Sequence, residues 1–260
     1  MRLFLLAIML FTSSLFALST ITLTKSNSVI FDSEVTADST GQALFEIYNL
    51  YAKGVTEIYL VLNTPGGSVP DGLEFIDAIK SLPIKVHTIT IFAASMGYQI
   101  AQSLDTRFIM TNGTLMSHRA SGGMEGIFNG SLNTRITNIL QILEQQEIRV
   151  AKRLKISLVD YRKMIADELW ISGKNAIENN QADEEVNIIC GKDMIDIKTK
   201  RIYVFGIIPV DLQVSECPLI KKVFGFKIPD GNKNTEDIEN YINLMINDKP
   251  SFIRKFVQGK

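Results

Sequence analysis

Four groups of residues in this 260-residue chain have types and settings that chemistry can use. Ser95 lies in Ala93-Ala94-Ser95-Met96-Gly97, where an apolar, β-branched run gives way to a small-residue helical stretch. A hydroxyl at such a strand-to-helix turn shares the physical logic of a nucleophile elbow, though the motif is not GxSxG. The position suits a helix N-cap equally well. Pro65-Gly66-Gly67-Ser68-Val69 also falls between an apolar run and a helical pattern. Its N–H groups suit a developing oxyanion, and its paired glycines suit an ordinary tight turn. His118 follows another β-like run and can serve as a base near neutral pH or as a plain hydrogen-bonding residue. The acid pair Asp167-Glu168 can orient a histidine or simply end a helix.

The elements that position these groups follow from hydrophobic period. Glu57 to Leu62 is short and almost wholly apolar, as expected for a strand buried on both faces of a parallel sheet. Strands are also expected over Ile21–Phe31, Lys85–Phe92 and Thr106–Met110, the last closed by an Asn112-Gly113 turn. Helical spacing marks Thr36–Lys53, Asp71–Leu82, Ala93–Leu104, a long Leu132–Leu154, Asp160–Asp167 and Lys174–Asn180. Strands alternating with helices make the fold class α/β. All four groups then fall at strand exits or loops along one sheet edge, where ligand sites of α/β folds gather. His87 falls inside a strand and is given a structural role. Beyond about Val186 the pattern changes. Ile195 to Val214 alternates like strands, 226–234 reads as a loop, Thr235–Ile246 as a helix, and the end is basic.

Composition bounds the function. Lys+Arg is 27 and Asp+Glu is 28, giving a net charge of −1 and no general case for nucleic-acid binding. With two histidines, two cysteines and no CxxC, there is neither a cysteine zinc site nor a disulfide-dense scaffold. Cys190 and Cys217 read as one disulfide or as two thiols. Residues 1–19, MRLFLLAIMLFTSSLFALS, carry Arg2 as their one charge and read as a signal peptide, with a retained membrane anchor as the alternative. The expected organisation is therefore signal peptide or anchor at 1–19, a core domain at 20–186, and an extension of unassigned role at 187–260.

Asn63 to Val69, Ala93 to Gly97, Met116-Ser117-His118, Trp170-Ile171-Ser172 and Ala176 to Asp183 together resemble the proteolytic subunit of Clp protease (ClpP) and its phage-type relatives. The likeness covers about residues 20–186. It implies a ClpP/crotonase-like α/β fold of repeated ββα units with a long protruding helix, here Leu132–Leu154. It implies Ser95 as nucleophile, His118 as base, and Gly67 and Met96 as oxyanion-hole donors, with Gly66, Ser68 and Val69 along the substrate. The family's acid stands two residues before an aromatic; here that is Glu168, two before Trp170, with Asp167 the alternative. Two positions depart from the family pattern. Ile91 stands where a Gly is usual, four residues before the nucleophile, and Ala120 where a Pro is usual, two after the histidine.

The resemblance implies a serine endopeptidase acting on peptides or unfolded proteins, without metal or other cofactor, in a heptameric or double-heptameric ring. The usual partner of such rings is a cytosolic ATP-driven unfoldase. Export, to a periplasm or outside the cell, would separate the chain from it. The alternatives are a membrane-associated serine protease with a lysine base, like signal peptide peptidase A or NfeD-type proteases, and a non-catalytic ring-forming scaffold.

Overall fold

The computed structural model describes residues 18–123, 125, 127, 130–204, 208–229 and 240. The apolar segment 1–17 and the basic C-terminal end lie outside the described residues, and the helix expected at 235–246 is described at residue 240 alone. The elements run β1 (Ser19–Leu23), β2 (Ser28–Phe31), α1 (Ala37–Ala52), β3 (Glu57–Thr64), α2 (Val69–Lys80), β4 (Lys85–Ala94), α3 (Met96–Ser103) and β5 (Arg107–Ser117). There follow α4 (Ser131–Leu154), α5 (Leu158–Met164), β6 (Leu169–Ser172), α6 (Gly173–Glu178), β7 (Glu184–Cys190), β8 (Ile197–Val204), β9 (Ile208–Ser215) and β10 (Val223–Lys227).

The fold is α/β, built on a mostly parallel sheet in the order β1-β7-β5-β4-β3-β2, with β6 antiparallel on β5. β3 shows why the sheet is buried on both faces. Ile58, Leu60 and Leu62 enter the core shared with α1, α2, α3 and the end of α4. Tyr59 and Val61, one step out of phase, join the opposite cluster with Leu23, Ile89 and Val186. Helix starts are set locally: Thr36 and Ser39 close a capping box on α1, and Ser68 caps α2.

The structure departs from the periodicity in four places. The run Ile21–Phe31 is two strands. Asn27 Oδ1 accepts from the Thr24 N–H at 2.8 Å and turns the chain, sending β1 and β2 to opposite sheet edges. Asn112-Gly113 does not end a strand; it lies inside β5, where the pairing to β4 slips between Thr90 and Phe92. A side chain at Gly113 would strike the Thr90 carbonyl, so the local glycine permits close strand approach rather than a turn. β6 and β7 escape the periodicity because one is four residues long and the other is acidic at its start. Residues 223–227 form β10, the edge of a three-stranded antiparallel sheet with β8 and β9, so the expected loop begins later.

That small sheet has its own core, in which Ile202, Leu212 and Phe226 pack around Val210. It is tied to the parallel sheet by the Cys190–Cys217 disulfide, with Cα atoms 5.8 Å apart, and by ion pairs Lys25–Glu216 and Lys200–Asp32.

The start of β5 is held by Arg107, 5% exposed. Its guanidinium donates to both carboxylate oxygens of Asp183, to Gln102 Oε1 at 2.6 Å and to the Asn180 carbonyl at 2.8 Å. Burial pushes the Asp183 carboxyl upward, but hydrogen bonds and charge from Arg107, with charge from Arg153, outweigh it and hold it below its ordinary 3.8. A folded value below the unfolded one stabilises above that pH and loses the contribution as pH falls through it. Arg107→Ala should therefore cost about 1–3 kcal/mol, because it removes the charged hydrogen bonds of a buried guanidinium, while Asp183 is 37% exposed and keeps Arg153 as a partner. Urea unfolding at pH 7 reads this loss, and the deficit should shrink below pH 3.8.

Candidate active site

Three neighbouring strands end together. Thr64 of β3 pairs with Ala93 of β4, and Ala94 pairs with Met116 of β5. Each chain then leaves the sheet, bringing Pro65-Gly66-Gly67, Ser95 and His118 to one edge. Ser95 joins β4 to α3 with φ 54 and ψ −118, a backbone conformation that L-residues avoid and that costs about 1–3 kcal/mol. Its side chain makes no capping hydrogen bond to α3. Instead Ser95 Oγ and His118 Nε2 are hydrogen-bonded at 2.7 Å. Of the two settings open to Ser95, the strained turn directs its hydroxyl to the imidazole rather than into the helix end.

Gly66 has φ +90 and lies against this turn. A Cβ there would meet the Ala94 carbonyl at 2.5 Å, Ser95 Cβ at 2.6 Å and the Met96 nitrogen at 2.7 Å. The loop is held from its other side by Val35, whose N–H donates to the Gly66 carbonyl at 2.8 Å and whose carbonyl accepts from Ser68 N–H at 2.8 Å. The N–H groups of Gly67 and Met96 donate to no other described residue. They flank Ser95 from the loop and from the first turn of α3, in the setting that stabilises negative charge. Ser68 spends its hydroxyl on the Asp71 N–H, capping α2, while Val69 lines the cleft.

The acid is where sequence and structure part. The family register puts Glu168, or else Asp167, beside His118. Here both carboxylates are exposed, and neither bonds the imidazole. Glu168 has a left-handed backbone, φ 79, and its Oε2 accepts from the Trp170 indole N–H at 2.9 Å. That local bond, two residues along the same strand entry, engages the carboxylate, and the bond shown for the His118 ring is the one to Ser95. His87 sits near the opposite end of the sheet, buried in β4, with Nε2 on Glu57 at 2.8 Å and Nδ1 accepting from Thr106 N–H. Among the described residues no three His, Cys, Asp or Glu side chains gather to hold a metal ion.

A cleft of about 500 Å³ opens beside Ser95. Its wall includes residues that sequence reasoning did not single out: Gln99, Gln146, Glu147 and Tyr161. Gln99 Nε2 donates to the Tyr161 hydroxyl at 3.3 Å, and that hydroxyl is bonded to Ser117 Oγ at 3.0 Å. Burial raises the Tyr161 pKa, so the phenol stays protonated. Gln99 was within reach of the sequence, lying one helical turn after Ser95. Gln146 and Tyr161 come from α4 and α5 and meet the cleft only through folding.

A family model described as Clp protease matches residues 15–186. Among curated proteins, the ATP-dependent Clp protease proteolytic subunit of Lactococcus lactis subsp. lactis (strain IL1403) is 32% identical over 139 residues, 49% of this chain and 66% of that protein. The same-named subunit of Streptococcus pyogenes serotype M1 is 31% identical over 135 residues, covering 49% and 67%. The first of these matches thus covers just under two thirds of the relative's own length.

Proposed function

The chain belongs to the Clp protease family, and from that premise we propose that it is a serine peptidase that cleaves peptides or unfolded proteins through Ser95 and His118. The observation that carries the reading is the 2.7 Å hydrogen bond between Ser95 Oγ and His118 Nε2, made from a strained turn. His118 takes the Ser95 proton as Oγ attacks the substrate carbonyl. The Gly67 and Met96 N–H groups receive the oxyanion, each donor lowering the barrier by about 3 kcal/mol. His118 then protonates the leaving amine, and water, activated by the same imidazole, releases the acyl group.

A histidine base fits this cleft better than a lysine base, since no lysine is among its described lining residues. The strain at Ser95 favours catalysis over a scaffold role. No step is assigned to Glu168 or Asp167. Glu168→Gln is expected to lower kcat/KM less than about ten-fold, since the dyad already stands without it. A loss as large as that of His118→Ala would instead make Glu168 the acid that orients the imidazole.

The decisive experiment is labelling of the purified protein with a fluorophosphonate probe, followed by peptide mapping. Modification at Ser95, abolished in Ser95→Ala, is the expected result; an unlabelled Ser95 in a protein that cleaves no peptide overturns the proposal.

We place the enzyme in an exported, disulfide-permissive compartment, a reading supported by the Cys190–Cys217 bond and the signal-like residues 1–19. Among the described residues no helix is long and apolar enough to cross a membrane. Intact mass of the mature protein tests this: loss of residues 1–19 is expected. Ring assembly is supported by α4, which leaves Ile136, Ile139, Leu140 and Ile142 exposed along its length. Sedimentation at micromolar concentration should give a mass several times that of the mature protomer.

A further inference from the structure

We infer that the cleft beside Ser95 selects substrates with a long, donor-bearing side chain, lysine above all, on the residue whose carbonyl is attacked. The inference rests on the serine-peptidase reading and adds the substrate class to it. One wall is apolar: Val69, Met96, Leu143 and Ile165 would pack a hydrocarbon stem. The other wall is built of acceptors.

Gln99 lines the cleft; its Nε2 donates to Tyr161, and its Oε1 is buried with no hydrogen-bond partner. A buried acceptor left unpaired is costly, and a donor carried by the substrate would relieve it. Gln146 is 7% exposed, and its amide touches only the weakly accepting Met96 sulfur, at 3.9 Å. Its carbonyl oxygen has no donor among the described residues. Glu147 gives Oε2 to the Arg162 guanidinium at 2.6 Å and keeps Oε1 unused.

Charge points the same way. The described lining holds two carboxylates, Glu34 and Glu147, and neither lysine nor arginine. A purely apolar side chain would fill the stem region and leave both glutamine oxygens unpaired. An acidic side chain would face the glutamine carbonyl oxygens and the Glu34 carboxylate, although Glu147 is already paired with Arg162. A lysine has the stem length, the donors and the sign.

The test uses the full-length mature protein and fluorogenic peptides that differ only at the residue before the scissile bond: Lys, Gln, Met, Leu and Glu. The expected order places Lys first, with kcat/KM at least about ten-fold above Met, which matches its stem without its donors. Gln should fall between them, and Glu last. Gln99→Leu and Glu147→Gln should each narrow the Lys-to-Met ratio, Glu147→Gln sparing the Gln peptide. Sites cut in unfolded casein, read by mass spectrometry, provide a measurement independent of any variant's folding. Met or Leu equal to or above Lys, in a protein whose Ser95 still labels with fluorophosphonate, overturns this inference alone. Absent labelling and absent cleavage of all five peptides overturn the peptidase reading itself.

Discussion

Ser95→Ala is expected to lower kcat/KM by at least about 10³-fold, His118→Ala to do nearly the same, and the double variant to be no worse than either. The reason is that the two side chains act as one unit. A serine hydroxyl is a poor nucleophile at neutral pH until a base takes its proton, and an imidazole without the hydroxyl has no bond to make to the substrate. The 2.7 Å contact between them is the geometry of that transfer. Independent contributions would instead multiply, giving roughly a million-fold loss in the double variant. Kinetics on one fluorogenic peptide, with thermal unfolding of each variant alongside, separates the outcomes. Additive losses would sink the coupled-dyad account while leaving Ser95 as a nucleophile.

Gly66→Ala should remove activity by at least about 100-fold and destabilise the fold by about 2–5 kcal/mol. Two costs add. The residue sits at φ +90, where a Cβ is disfavoured, and the new methyl would meet backbone atoms of Ala94 and Met96 at 2.5 and 2.7 Å. Neither atom can move cheaply. Ala94 is paired in the sheet to Met116, and Met96 begins α3. Any relief must therefore displace the turn that carries Ser95. Gly41 is the internal control: it lies inside α1 with open space around it, so Gly41→Ala should be stabilising by about 0.5–1 kcal/mol. Urea unfolding and the fluorophosphonate labelling rate give the two readouts. A Gly66→Ala protein with wild-type labelling would mean that the loop does not shape the nucleophile.

How legible the chain was depends on the kind of residue. β3 and β4 were readable because strands buried on both faces are continuous apolar runs, and α1 and α2 because their stripes and caps are local. β7 was not, since Glu184 and Glu185 begin it and only its pairing with β1 and β5 makes it a strand. The glycines at 66 and 113 looked alike on paper. One shapes a strained loop at the nucleophile and the other a slip in strand register, and that difference lies in what each backbone faces.

By itself the sequence determined the α/β class, the kinship motifs and the two residues, Ser95 and His118, that could meet as nucleophile and base. Strand spacing fixes such placements, because residues one or two steps past paired strand ends must emerge side by side. Tertiary structure alone decided where the carboxylate of Glu168 goes, that Cys190 reaches Cys217, and which side chains wall the cleft. Those outcomes depend on competition among partners in space: the Trp170 indole won Glu168, and α4 and α5 brought Gln146 and Tyr161 to a serine some 50 to 66 positions away. No local pattern encodes such a choice, because each donor and acceptor meets its partner only after the sheet and helices have packed.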